Sequence, residues 1–167
     1  MSGVTIRPAE SRDRPHIHEV EAKAFGQPVE AQLVEQLVSD GDVVLELVAE
    51  SAGRIVGHVL FSRLKVVQDD RQLGAVALAP LAVDPGLHRQ GIGSALVEAA
   101  HEQLRASGET LSVVLGDPAY YGRFGYRHRR AEGFDSDYQC DALQALAWGE
   151  APKTGRLVYA AAFGGLS

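Results

Sequence analysis

The residue types most able to do chemistry cluster in one short run, His88-Arg89-Gln90-Gly91-Ile92-Gly93, which follows the apolar stretch Leu81-Ala82-Val83 and the turn Asp84-Pro85-Gly86. Beyond the run, Ile92, Leu96, Val97, Ala100 and Leu104 recur at helical spacing over residues 92 to 106. Glycines at a helix start leave main-chain N–H groups approachable, and the helix dipole makes that end positive, so the run offers anion binding, of a phosphate above all. The same Gly-x-Gly also suits a tight entry into a packed helix. Two other nucleotide motifs fail: a dinucleotide fingerprint needs a small residue where Leu96 stands, and a phosphate loop needs a Gly-Lys-Ser/Thr that the chain lacks.

Metal chemistry has no support. His16 and His18 stand two apart on a helix and diverge, and the lone Cys140 offers no ligand pair; it reads as a small buried side chain. Arg127, Arg129 and Arg130 read as a solvated strand edge.

The elements that position the glycine run follow from periodicity. Val4-Thr5-Ile6 is a short strand; residues 12 to 25, with Ile17, Val20, Ala24 and Phe25 on one stripe, and a segment after Pro28 carrying Leu33, Val34, Leu37 and Val38 are helices. Val43 to Ala49 and Ile55 to Val67 are strands joined by a hairpin at Ser51-Ala52-Gly53, and Gln68-Asp69-Asp70-Arg71 turns the chain again. Leu73 to Val83 is a buried strand in which Pro80 marks a bulge or interrupted pairing, and Leu111 to Leu115 pairs with it in parallel after the helix. A short helix near 119 to 124 precedes a last strand at Leu157 to Phe163, an exposed edge by which two copies could pair as a homodimer.

With 167 residues the chain reads as a single domain spanning 1–167, with 46% hydrophobic and 23% charged residues as in a globular protein. No apolar run reaches the ~20 residues that span a bilayer, and the first residues carry no basic and apolar leader, so no membrane is involved and a cytoplasmic location is the expectation. The net charge of −6 argues against nucleic acid, which needs clustered cations, but leaves a small anionic ligand open.

The glycine run, the strand before it and the order of elements resemble the GNAT superfamily of N-acetyltransferases, whose signature is Gln/Arg-x-x-Gly-x-Gly/Ala; His88 replaces the first residue. Gly57-His58-Val59-Leu60-Phe61 and Leu115-Gly116-Asp117-Pro118-Ala119-Tyr120-Tyr121 are similar to a bacterial group within it. The resemblance implies an α/β (α+β) fold: a mixed, mostly antiparallel sheet of about six to seven strands with a splayed parallel pair, flanked by about four helices. It also implies acetyl-coenzyme A as cofactor, held by Leu81, Ala82, Val83, His88, Arg89, Gln90, Gly91, Ile92, Gly93, Ser94, Asp117, Tyr121 and Arg123. The acetyl group would pass to a primary amine of a small molecule or peptide.

Within that resemblance Tyr121, four residues before Gly125-Tyr126, is the general acid for the departing thiolate, with Tyr120 its competitor. The base is open: Ala75 to Pro80 holds no ionisable group, and the candidates are Glu21, Glu30, His58 and Asp117, with His58 and Glu30 carried as catalytic residues. His58 alternates with Val56 and Leu60 on an apolar face, where it also reads as a satisfied core histidine. The alternative to an enzyme is a module that binds acyl-coenzyme A as a sensor without turnover.

Overall fold

The computed structural model describes residues 3–166. Its helices are α1 (Arg14–Phe25), α2 (Val29–Asp40), α3 (Ile92–Ala106), α4 (Pro118–Tyr121) and α5 (His128–Ala131). One sheet runs in the order β1 (Val4–Pro8), β2 (Val43–Ser51), β3 (Arg54–Gln68), β4 (Arg71–Val83), β5 (Leu111–Leu115) and β7 (Leu143–Ala147). The short β8 (Gly155–Val158) pairs with Lys65–Val67 of β3 where β2 has ended, and β6 (Phe134–Asp135) pairs with β8.

The strands β1 to β4 are antiparallel, and the β2–β3 turn is Ala52-Gly53, with φ of 50° and 76°. Two successive left-handed residues match the twist of a two-residue hairpin, and Gly53 adopts its share without strain. β4 and β5 are parallel, so a crossover is obligatory, and α3 supplies it.

Alternation along β3 divides the core. Val59 and Phe61 face α3, whose Ile92, Leu96, Val97, Ala100 and Leu104 form its buried stripe, while Leu60 faces Ile17 of α1 and Leu33, Val34 and Leu37 of α2. α3 comes closest at Gly57, where a β-carbon would stand 2.9 Å from Leu96 Cδ1 and 3.0 Å from Ile92 Cγ2. Gly57→Val is therefore expected to destabilise the fold by about 1–3 kcal/mol through overpacking. Denaturant unfolding checks it: an unchanged midpoint would contradict this close approach.

The feature that positions the site is a parting of strands. The parallel ladder covers only Val76–Leu78 against Ser112–Val114, after which β4 stays with β3 and β5 stays with β7. At the parting, Leu60 alone opposes both Ala79 and Pro80, a bulge in the β3–β4 register between Val59 and Phe61. Pro80 has no N–H to give a ladder, in keeping with the bulge at this point.

Several expectations change. Among the described residues the sheet holds eight strands and there are five α-helices, slightly more than the resemblance implied, in the mixed sheet with a splayed parallel pair that it did imply. Leu157 to Phe163 is not one strand: β8 stops at Val158, and Ala161–Leu166 is a 3₁₀ helix that buries Phe163 against α2. β8 is flanked by β3 and β6, so it is not a free edge for pairing two copies. Cys140 is exposed, because it lies in a turn rather than inside an element. Of the basic run, Arg127 bridges Ala145 of β7, but Arg129 and Arg130 lie on α5 rather than on a strand edge, and Arg130 donates to the carbonyls of Ala151 and Pro152.

Candidate active site

After β4, Asp84 caps a turn by accepting from the Gly86 N–H at 2.9 Å, with Lys23 and Arg54 each 3.4 Å from its carboxylate. That hydrogen bond from Gly86, with the two cations, holds the Asp84 carboxyl below its ordinary value despite burial. The chain then runs through Arg89 and Gly91 with φ of 69° and 79°. Left-handed residues separated by Gln90 turn successive N–H groups to one side, a concavity that suits an anion. Arg89 bears that conformation with a side chain, a local strain of the kind that gathers at ligand sites.

Gly91 caps α3 without any side-chain acceptor for the first-turn N–H groups. At Gly93 a β-carbon would lie 2.5 Å from the Tyr120 hydroxyl, so only glycine leaves this cradle open. Arg123 stacks over the Tyr120 ring at 4.7 Å and donates to Ser94 Oγ at 3.0 Å. Together they bound a cleft of about 700 Å³ whose lining includes Leu81, Val83, His88, Arg89, Ile92 and Gly93 and no carboxylate. Gln90 is exposed and outside this lining.

A second cavity, of about 760 Å³, opens in the parting of β4 and β5 and shares Leu81 with the first. Ala79, Pro80, Leu115 and Gly116 lie along it, with Phe25 and Leu33 on one side and Tyr138 and Tyr159 on another. The Asp84 N–H donates to Val56 of β3 at 2.8 Å. Backbone groups alternate from edge to edge along a strand, so Leu81 and Val83 turn theirs toward the gap, while Ala82 faces β3. Ala82 is buried opposite His58 and lines neither space. Its backbone parity, not its side chain, removes it from the ligand-binding set.

The two tyrosines separate. Tyr120 points its hydroxyl at Gly93 in the first cleft, whereas Tyr121 lines the second, its ring set against Gly116 and edge-on to Tyr120 and Tyr126 at 5.0 and 5.9 Å. Burial, aided by the charges of Asp117 and Glu21, pushes the Tyr121 hydroxyl far above a normal phenol. Glu30 and Asp117 also line the second cavity; Gln27 donates to Glu30 at 3.1 Å, and Asp117 accepts from Ala119 N–H at 3.0 Å as the cap of α4. Asp117 thus stands away from the anion cleft.

His58 does not reach either space. It is fully buried, its Nδ1 2.6 Å from Glu21 and its Nε2 2.7 Å from Glu46, which in turn accepts from Arg14 at 2.6 Å. Burial pushes His58 toward neutrality, but the two carboxylates outweigh it and its pKa is raised. Burial also raises Glu21, and His58 only partly offsets it; for Glu46 His58 and Arg14 overcome burial and lower it. A histidine enclosed in this way cannot touch a substrate amine, which corrects its assignment as a base. Among the described residues no group of three or more His, Cys, Asp or Glu side chains is placed to hold a metal ion.

Residues 5–129 match the family model for the acetyltransferase (GNAT) domain, well over half the chain. YhbS of Escherichia coli K12, described as an uncharacterized N-acetyltransferase, is 40% identical over 115 residues, 68% of each chain. The structure of Escherichia coli YhbS in complex with CoA superposes with a TM-score of 0.88 at 31% identity, covering 98% of this chain and 93% of that one. A GNAT acetyltransferase from Brucella melitensis in complex with acetyl-CoA does so with a TM-score of 0.83 at 30% identity, covering 98% and 99%. The family match, the parted β4–β5 pair and the glycine cradle before α3 agree, and the chain belongs to the GNAT family of acetyltransferases.

Proposed function

We propose that the protein transfers an acetyl group from acetyl-coenzyme A to a primary amine. The observation that carries this reading is the adjacency of two spaces that share Leu81: an amide and arginine cradle free of acids beside a gap edged by unladdered backbone. The residues fit the cofactor. A doubly charged diphosphate matches the first-turn N–H groups of α3 with Arg89 and Arg123, and the amides of pantetheine match Leu81 and Val83, which face the gap as a strand would present itself to another strand. Solved relatives in complex with CoA and with acetyl-CoA support coenzyme A as the ligand.

When bound, acetyl-coenzyme A supplies a thioester carbonyl as acceptor of the amine and a thiolate as leaving group. The chain supplies the proton traffic. Tyr121 remains protonated and stands in the gap to give its proton to sulfur. Glu30, in the same cavity and steadied by Gln27, takes the proton the amine must lose, directly or through water. An alkylamine of pKa ~10.4 is neutral in fewer than about one in a thousand molecules near neutral pH, so an acceptor matters.

Glu30→Gln is expected to lower kcat/KM by about 10–100-fold near neutral pH. The deficit should shrink as pH rises and the amine deprotonates itself; a deficit constant across pH would mean that Glu30 only shapes the cavity. The reading as a whole is tested by release of free thiol from acetyl-coenzyme A across a panel of amines. Binding of the cofactor with no release for any amine would favour a sensor instead.

A further inference from the structure

The cavity that receives the acceptor has a marked chemical bias. Among the described residues three carboxylates line it, Glu30, Asp117 and the largely exposed Asp137, which lies 3.7 Å from Arg156, and no lysine, arginine or histidine belongs to the lining. Most of the remaining lining is apolar or aromatic. Tyr138 and Tyr159 meet edge to face at 5.2 Å, and Tyr159 continues onto Phe163 at 5.5 Å, so one wall is a row of rings. At the rim Phe25 and Leu115 remain 42% and 49% exposed as apolar surface.

Resting on the acyl-transfer reading, we infer that the acceptor is a small primary amine carried on an apolar or aromatic body and bearing no carboxylate. An ammonium is drawn by the three carboxylates and by ring faces, while the body covers the exposed apolar lining. A carboxylate on the same molecule would enter a space that has like charges and no cation to pair with it, so free amino acids are rejected by repulsion and by loss of solvation. The cavity volume of about 760 Å³ lies within the range of small-molecule sites, and part of it is taken by the cofactor's reactive end. A long acyl chain would explain the apolar wall but not the ring of acids.

The test uses the full chain with acetyl-coenzyme A and matched acceptors: 2-phenethylamine against phenylalanine, tryptamine against tryptophan, with ethylamine and a lysine-containing peptide beside them. We expect kcat/KM for each arylalkylamine to exceed that of its amino acid and of ethylamine by at least about tenfold, since one charge or one buried ring is worth that much. Asp137→Asn and Tyr138→Ala should each raise KM for 2-phenethylamine several-fold and leave the affinity for coenzyme A unchanged. Equal rates for amine and amino acid, preference for the peptide, or rates that climb with acyl length rather than with the amine's body would overturn the inference while leaving acyl transfer intact. No thiol release with any acceptor would overturn both.

Discussion

Replacing Tyr121 with phenylalanine is expected to lower kcat by about 10²–10⁴-fold while the affinity for coenzyme A stays within about twofold. The ring packs on Gly116 and against Tyr120 and Tyr126, and phenylalanine keeps all of those contacts, so the substitution removes the hydroxyl alone. Burial first, then the neighbouring charges of Asp117 and Glu21, keep that hydroxyl protonated at any physiological pH. The same dry surroundings that weaken it as an acid also raise the basicity of a thiolate formed beside it, so the transfer between them remains feasible. Tyr120→Phe serves as the comparison. Its hydroxyl faces Gly93 in the other cleft, and its loss should change cofactor affinity more than turnover. If Tyr121→Phe retained half of the wild-type kcat, the proton would have to come from elsewhere.

The second large effect is on stability. His58→Leu should cost about 3–5 kcal/mol, because it leaves Glu21 buried with no partner, while Glu46 keeps Arg14. For a chain of this size that is a fall in Tm of roughly 10 °C. The double variant His58→Leu, Glu21→Leu should recover part of the loss, since an apolar pair is cheaper to bury than a lone carboxylate. The pH dependence has a definite sign. His58 and Glu21 are raised in the fold, so what they contribute is present below their unfolded values and lost as pH rises through the folded ones. Glu46 is lowered, so its part is present above its unfolded value and lost as pH falls. Stability measured against pH should therefore decline on the alkaline side in the wild type, and that decline should be smaller in the double variant His58→Leu, Glu21→Leu, which carries neither raised group. A flat profile shared by both proteins would mean that the imidazole carries no charge in the fold.

What the chain reveals before folding is mostly local. The bounds of α3, the Ala52-Gly53 turn and the break at Pro80 follow from spacing, backbone preference and a missing N–H, all written within a few residues. β7 escaped because Leu143-Gln144-Ala145-Leu146-Ala147 buries a glutamine among small residues, its amide satisfied by the carbonyls of Gly116 and Ala142. β8 and β6 are too short to show a period, and they exist only by pairing with distant segments.

The site divides along the same line. The glycine cradle and Tyr121 were legible as motifs, but adjacent residues of a helix point in different directions, so nothing local separated Tyr121 from Tyr120. His58 stood out as a polar residue on an apolar face. Its partnership with them was not legible, because Glu21 and Glu46 lie 37 and 12 positions away and each shares its element with another acid, Glu19 or Glu50. One signal was available for Glu46: it is the only charged residue in the otherwise apolar Val43 to Ala49.

The most direct measurement is calorimetric titration of coenzyme A into the wild-type protein and into Gly93→Val, with circular dichroism to show that the variant folds. The cradle before α3 predicts saturable binding to the wild type and at least about a hundredfold weaker binding to the variant, whose side chain occupies the space between the first turn and Tyr120. Equal affinity in the two proteins, or no heat of binding to the wild type, would contradict the placement of the diphosphate on which the account rests.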